Sequence, residues 1–506
     1  MEKIIPLFVA IPLGAAFLMP ILGKLWKRLP DVLGNLTTLS LFALSLAAIN
    51  ENFAVYKVGG WEPVEGVPIG IYMVADGLTV LMLVIINLIV LLATIYSINY
   101  MDRYTDKTRY YTLFLLMLAG MNGVVLSGDM FNIFVFLEIT GIASYALVAF
   151  TTEPEALEAG FKYQVMGTAA SGLILLGIAF LYSLTGTLNM ADMGNIISQR
   201  PISVTVFFAA ALFLVGFGLK AGLMPFHAWL PDAHPSAPAP VSAVLSGVVI
   251  KSIGVYALCR IFFNVLGIGA VEPILNLLII LGMVSMIGGA LAALGQRDFK
   301  RLLAYSSISQ IGHIIFAIGL GTPLGFLGAL FHLFNHSVMK SLLFLDSGAV
   351  VYSTGERDME KLGGLIQRMP VTSATSVVGA MSVAGVPPFN GFWSKLIIIL
   401  AAVQAGHPVL ALIVVLVSIL TLAYYLRALR LVFFGKLSHA FGEIKETPAL
   451  MCISMVILAG FCFGLGLLLL PGIKTILLEP GRSFLLGPAV EVLENGLQYA
   501  SNALGS

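Results

Sequence analysis

The chain has 506 residues, of which 59% are hydrophobic and 10% charged, with a formal net charge of +1. A soluble domain carries about 25% charged residues, so this composition excludes a soluble globule, and the near-neutral charge gives no reason to expect nucleic acid as a partner. The three cysteines (Cys259, Cys452, Cys462) form no CxxC pair, which argues against a disulfide framework, a zinc site or an iron–sulfur cluster.

Apolar runs of about 20 residues recur along the whole chain and predict an all-α polytopic membrane protein with about fourteen spans. In chain order they cover roughly 4–22, 30–49, 73–98, 110–127, 130–150, 163–184, 203–229, 237–258, 273–294, 301–320, 323–350, 371–404, 409–434 and 449–470. The first, "IIPLFVAIPLGAAFLMPIL", lacks a basic n-region and a small-residue cleavage site, and reads as a retained span rather than a signal peptide. Basic residues cluster after odd-numbered spans: Lys24, Lys27 and Arg28; Arg103, Lys107 and Arg109; Arg297, Lys300 and Arg301; Arg357, Lys361 and Arg368; Arg427, Arg430 and Lys436. By the positive-inside rule that side is cytoplasmic, which places the chain in the cell membrane with both termini outside. The loop after span 2 agrees, with Glu51, Glu62 and Glu65 against the single cation Lys57. The acidic loop "TTEPEALEAG" breaks the pattern, but acidic residues count little in this rule; Lys162 just after it reads as a snorkelling interface residue.

Spans 7 and 12 contain breaks. "AGLMPF" at 221–226 recurs as "AGVPPF" at 384–389, each followed by a tryptophan, Trp229 and Trp393. The copies lie five spans apart, and an odd number of spans reverses orientation, so the two halves read as inverted repeats. Pro/Gly-interrupted segments at matching places of two halves point to a transporter's ion path. Two unrelated proline kinks would give the same strings.

Charges inside spans each cost about 3 kcal/mol on insertion scales and so call for a function. Glu138 lies in span 5, Lys220 just before the first break, Lys251 in the middle of span 8, and Lys395 just after the second break. Span 11 carries His332, His336 and Lys340, whose four-residue steps form one stripe of about 12 Å. Burial penalises a charged side chain and a nearby opposite charge relieves that penalty, so a lysine whose carboxylate can approach or withdraw is a switchable proton site. Imidazole relays protons near neutral pH. Such a row at mid-membrane suits a lateral proton wire. The competing reading of Glu138, Lys220 and Lys251 is a static buried ion-pair network. His313 reads equally as a hydrogen-bonded core histidine. His332 and His336 as haem ligands would need a histidine on a facing span, and only His313 qualifies. Asp346 is either a partner for Lys340 or a span-end cap. His227, Asp232 and His234 lie at the cytoplasmic end of the first broken span, as a proton entry point or as solvated turn residues.

The stretch "GLKAGLMPFHAWLPDAHPSAPAPVSAVLSGVVIKSIGVYALCRI" resembles the antiporter-like subunits shared by respiratory complex I, Mrp-type Na+/H+ antiporters and membrane-bound group 4 hydrogenases. "RDFKRLLAYSSISQIGHI", "FHLFNHSVMKSLLFLDSGAV" and "VAGVPPFNGFWSK" fit the same family, and the resemblance covers about 75–480. It implies fourteen helices, two inverted five-helix repeats and broken helices 7 and 12. The resulting divisions are a three-helix segment (1–108), a first repeat (109–260), a second repeat (261–435) and a last helix with its tail (436–506). It also implies roles: Glu138 and Lys220 as the paired residues of the first half-channel, Lys251 as the connecting lysine, His332 and His336 as relay positions, and Lys395 as the terminal residue. A sequence that stops soon after span 14 resembles the D-type Mrp subunit and its hydrogenase and sulfur-reductase counterparts, and "WLPDAHPSAPAPVSAVLSG" looks closer to the hydrogenase type. The expectation is therefore a proton-translocating subunit, with Na+ coupling open, without cofactor, metal or redox centre of its own. Its partners would be further antiporter-like and small Mrp-like membrane subunits and a peripheral redox module. Two other readings fit the residues: a stand-alone Na+/H+ antiporter and a quinone-binding redox subunit.

Overall fold

The computed structural model describes residues 2–486 apart from 24, 51–52, 62–69, 105, 202, 438–440, 442 and 484. Lys24, Glu51, Glu62, Glu65 and the tail beyond 486 lie outside the described residues. Among the described residues, eleven helices are long and apolar enough to cross a membrane, and three further apolar helices are shorter.

The chain begins with α1 (Leu7–Leu22) and α2 (Leu29–Ala47), then a small antiparallel hairpin, β1 (Ala54–Lys57) and β2 (Tyr72–Ala75), with Ala54 opposite Ala75. The third predicted span therefore starts as a strand, and its helix α3 (Gly77–Tyr100) begins four residues later than expected. Asp76 sets that start, because its carboxylate accepts the Thr79 N–H at 2.9 Å and satisfies one of the free donors of the first turn. The same device opens α4 (Lys107–Leu126) with Asp106 and α5 (Met130–Val148) with Asp129. The acidic stretch expected to be a loop is helical: α6 runs from Pro154 to Thr185, with proline at its first position, where no N–H is needed. Next come the short α7 (Met190–Ser198), α8 (Val204–Ala221), α9 (Leu230–Ser236) and α10 (Ala239–Val265). The second half contains α11 (Glu272–Leu294), α12 (Phe299–Gly319), α13 (Pro323–Thr354), α14 (Pro370–Ala384), α15 (Asn390–Gln404), α16 (Pro408–Val432) and α17 (Ala449–Gly464).

These helices sort into a centre and a rim. The apolar stretches of α3, α10 and α12 are almost wholly buried, and on α13 every residue from Gly325 to Val350 is buried. A helix apolar all round belongs in the middle of a bundle. By contrast, α2, α6, α16 and α17 bury only about a third of their apolar stretch and form the outside.

Both expected breaks are built the same way. α8 ends at Gly222 (φ +70°), whose N–H meets Leu219 O at 3.2 Å while Leu223 N–H reaches Gly218 O at 2.9 Å. α14 ends at Gly385 (φ +85°), with Gly385 N–H on Ser382 O at 3.0 Å and Val386 N–H on Met381 O at 3.0 Å. Each is a Schellman ending, in which a left-handed residue lets two N–H groups fold back on the last turn. Each break also contains a cis proline bond, Met224–Pro225 and Pro387–Pro388.

α10 is irregular in another way. It contains π-helical stretches at Leu245–Val249, Lys251–Tyr256 and Arg260–Val265, and runs five residues past the expected repeat boundary at 260. Its far end is clasped to α3: Arg260 Nη2 donates to the Asp76 carboxylate and, at 3.0 Å, to Thr79 Oγ1, while Arg260 Nε donates to Tyr256 Oη at 2.9 Å. Its middle touches the end of α8, where a Cβ at Gly254 would stand 2.8 Å from Ala221 N and Cα.

Two outcomes follow for stability. Arg260→Ala leaves the Asp76 carboxylate buried without this partner, a change that costs about 3–5 kcal/mol, and lowers the amount of assembled protein in membranes; the pair Arg260→Met/Asp76→Leu recovers part of it. Gly254→Leu separates α8 from α10 at a cost of about 1–3 kcal/mol, read as a lower melting temperature in detergent, whereas Gly172→Leu, on the exposed face of α6 with open space around it, is the comparison for glycine replacement alone.

Candidate functional site

The first cluster joins α5, α6 and α8. Glu138 accepts the Ser171 hydroxyl from α6, and its Oε1 lies 3.7 Å from Lys220 Nζ. Lys220 lies in the last turn of α8, two residues before Gly222, is almost completely buried, and donates to Tyr145 Oη at 3.2 Å. Tyr145 packs edge-on against Tyr163, which stacks flat on Trp229 at 4.0 Å. Trp229 Nε1 in turn donates to Leu219 O at 2.8 Å, so the tryptophan after the break satisfies a carbonyl of the last α8 turn.

Lys251 stands on α10 with no carboxylate in its ion-pairing range among the described residues. Its ammonium is held by carbonyls of its own helix, Gly247 O at 2.8 Å and Ser246 O. The π-helical turns shift those carbonyls out of regular pairing and towards the side chain. α10 then meets α13 closely: Ser341 Oγ donates to Ala243 O at 3.1 Å, and a Cβ at Gly247 would run into Ser341 Oγ.

α13 supplies the second cluster. His332 Nε2 lies 3.1 Å from Gln310 Oε1 and its Nδ1 lies 2.9 Å from Ser394 Oγ. Both ring nitrogens of His332 are therefore held, one by an amide and one by a hydroxyl. The rings of His332 and His336 are parallel at 6.1 Å, and His313 faces His332 at 5.7 Å with its Nδ1 on Ser309 O at 2.9 Å. Among the described residues, neither ring nitrogen of His336 has a hydrogen-bond partner, nor has His313 Nε2. Lys340 donates to Leu303 O and Tyr425 Oη, each at 3.0 Å. Lys395 reaches back to Ala384 O at 3.4 Å, a carbonyl next to the second break. Lys220, Lys251, His313, His332, His336, Lys340 and Lys395 are buried, whereas Glu138 is about a quarter exposed.

Several expectations change. Asp346 is neither partner to Lys340 nor a span-end cap: it is fully buried and accepts Thr375 Oγ1 at 2.8 Å, six residues and about 9 Å of helix from Lys340. His234 is not a solvated turn residue; it is fully buried with its ring 4.9 Å from Phe344 of α13, because α9 folds inward after the break. His227 stays half-buried at the first break, 6.4 Å from the Tyr305 ring. Lys162 does not snorkel alone, since Glu158 (2.7 Å) and Asp232 (3.1 Å) hold it, and Asp232 also binds Arg301 at 3.2 Å.

Other members were not singled out from sequence. Tyr145 lies seven residues after Glu138, on the same helical face, and that spacing was a usable signal. Lys300 was counted as a loop base, yet it is buried in the first turn of α12 with Nζ on Ala237 O at 2.7 Å. Asp298, two residues earlier, marks that helix start by capping Arg301 N at 2.9 Å. Gln310 and Ser394 carried no signal, being ordinary polar residues in apolar helices.

Comparison with known proteins gives this arrangement its relatives. Residues 127–421 match the family described as "NADH:quinone oxidoreductase/Mrp antiporter, TM", and residues 61–111 match "NADH-Ubiquinone oxidoreductase (complex I), chain 5 N-terminus". NADH-quinone oxidoreductase subunit N of Desulforudis audaxviator is 37% identical over 431 residues, 84% of each chain. Among solved structures, a chain of the Mrp complex from Dietzia sp. superposes with a TM-score of 0.87 at 28% identity, covering 97% of this chain and 99% of that one. A chain of an archaeal membrane-bound sulfane sulfur reductase superposes with a TM-score of 0.85 at 33% identity, covering 96% and 98%. The chain belongs to the NADH:quinone oxidoreductase/Mrp antiporter transmembrane family.

Proposed function

We propose that this chain is the proton-moving, antiporter-like subunit of a multisubunit energy-converting membrane complex. The observation that carries the reading is the Lys220–Glu138 pair, 3.7 Å apart, with the lysine sealed and the carboxylate about a quarter exposed, together with the buried Lys251, His332, His336, Lys340 and Lys395. The relatives support the setting, since a complex I subunit, an Mrp complex and a sulfane sulfur reductase all resemble it.

The chemistry follows from pairing. While Glu138 is close, the Lys220 ammonium is stabilised; when the pair opens, a buried charge loses its compensation and the proton moves on. An opposite charge within about 4–6 Å changes proton affinity by about 1–3 pK units, or about 1.4–4 kcal/mol. Driving one charge against 100 mV requires about 2.3 kcal/mol, so opening and closing one such pair is of sufficient size. The proton then passes from Lys220 to Lys251, on to His336, Lys340 and His332, and ends at Lys395, with His313 beside His332 and His234 beside the Lys340 end of α13. His227, half-exposed at the first break, is the mouth. Tyr145 positions the Lys220 ammonium, and Gln310 and Ser394 hold the His332 ring in place.

In this reading the chain crosses the cell membrane fourteen times with both termini outside. Residues 109–260 and 261–435 are inverted repeats, a reading that the matching Schellman endings at Gly222 and Gly385 support. Neighbouring membrane subunits complete the ion path, and a peripheral redox module or an opposing Na+ gradient supplies the energy.

Proton uptake by vesicles carrying the assembled complex, driven by an imposed K+ diffusion potential, tests the row. Lys220→Ala and Glu138→Gln stop uptake while assembly stays normal, and wild-type uptake in both would sink the proposal. Tyr145→Phe removes one hydrogen bond to a charged group, worth about 1.5–3 kcal/mol, and slows uptake roughly tenfold or more without unfolding the protein.

A further inference from the structure

α14 is short and sits beside the row, yet its buried face is polar. Thr372, Thr375, Gly379 and Ser382 follow at i, i+3, i+7 and i+10, one face of a helix, and the three hydroxyls are buried. The stripe climbs about 15 Å from the helix start to the second break. At its lower end lies Glu446, half-buried, whose Oε2 accepts Val371 N (2.8 Å) and Thr372 N (3.2 Å) and whose Oε1 accepts Thr372 Oγ1 (2.7 Å). One turn further in, Thr375 Oγ1 donates to Asp346 Oδ1. Asp346 Oδ2 and the neighbouring Ser376 Oγ are both buried and face each other without meeting full hydrogen-bond geometry, so among the described residues Thr375 gives this carboxylate its one well-formed bond. At the upper end Ser382 Oγ donates to Asn390 Oδ1, Asn390 Nδ2 donates to Asn335 Oδ1 at 3.1 Å, and Lys395 Nζ rests on Ala384 O at 3.4 Å. The apolar interruption is at Gly379, where Leu343 of α13 stands 3.0 Å from the place a Cβ would occupy.

We propose that Asp346 is a proton-holding station on a second access route, which runs from Glu446 at the basic-loop face along α14 to Lys395. The inference rests on the ion-moving reading above and adds an entry that does not pass through Lys220. Glu446 takes a proton from water at the surface and the Asp346 carboxylate receives it. The Lys395 amine accepts it when Leu343 swings off Gly379 and lets water bridge the gap of about 10 Å between Thr375 and Ser382. One proton enters and one leaves, with no other group consumed. The groups facing Asp346 suit a station rather than a structural ion pair: Thr375 and Ser376 from α14, Tyr96 from α3, Cys452 from α17 and Glu446 ahead of it. No Lys, Arg or His forms an ion pair with Asp346 among the described residues. A carboxyl kept at this depth without a cation costs stability, which a Thr or Asn in its place would avoid.

The test uses the assembled complex in membrane vesicles under a K+ diffusion potential. Asp346→Asn, nearly the same shape, is expected to lower proton uptake at least tenfold at wild-type assembly, Asp346→Glu to restore at least half of it, and Thr375→Val to fall between. Wild-type uptake by Asp346→Asn overturns the route, while loss of uptake that Asp346→Glu does not restore overturns Asp346 as a carboxyl station. The reading of the row itself fails separately, on normal uptake by Lys220→Ala. If Asp346→Asn does not assemble, Glu446→Gln decides: at least fivefold slower uptake with a displaced pH–rate profile supports the route, and an unchanged rate and profile overturn it.

Discussion

In the interior of a bilayer a carbonyl or N–H that loses its helical partner must find another within the protein. That constraint governs how this molecule can interrupt its helices at all. The two interruptions fall next to Lys220 and Lys395, and each is closed by a left-handed glycine that folds two N–H groups back onto the preceding turn. Side chains complete the closure: Leu219 O takes a second bond, from Trp229, and Ala384 O accepts from Lys395. The rest of the architecture encloses the two lysines beside the interruptions: α3, α10, α12 and α13 form a buried centre, and one-faced helices surround it.

The same rule applied to charge explains the different treatment of each lysine. Lys220 has a carboxylate within ion-pair range, whereas Lys251, Lys340 and Lys395 rest mainly on backbone carbonyls and, for Lys340, on a tyrosine hydroxyl. Carbonyl oxygens solvate an ammonium partially and cannot neutralise it. A row with one paired head and carbonyl-held followers is therefore uneven in its affinity for protons, and an uneven row gives a transferred proton a preferred resting place. The Asp76–Arg260 clasp has the opposite character: two full charges in close contact tie α3 to α10 and serve the fold.

Hydropathy made the spans legible, because a helix in lipid must be apolar for its whole length, and the repeated Gly-Pro strings marked both breaks. Less was legible where tertiary contact decides. Glu138 and Lys220 are 82 positions apart, so their pairing was implied by family resemblance and not by spacing. Lys300 and Arg260 were hidden at span ends: one was assigned to a loop, and the other lay just beyond a span taken to end at 258 while α10 continues to Val265. His234 was misplaced because a string dense in prolines, "LPDAHP", reads as a surface turn, yet α9 is a helix that carries the imidazole into the core. Asp346 posed two alternatives, and its real partner, Thr375, lies on a helix that sequence distance does not connect to it.

One member of the row is not sealed. About a quarter of the Glu138 side chain is open at the surface of the bundle, while Lys220, Lys251, His332, His336, Lys340 and Lys395 are enclosed. Whatever lies against α5 therefore becomes part of the environment of that carboxylate. Lipid, detergent and a packed neighbouring helix differ widely in dielectric and in the hydrogen bonds they offer, and this single residue senses the difference before the sealed ones do. The chain taken out of its assembly is consequently altered first at the head of its own row, with every interior distance unchanged.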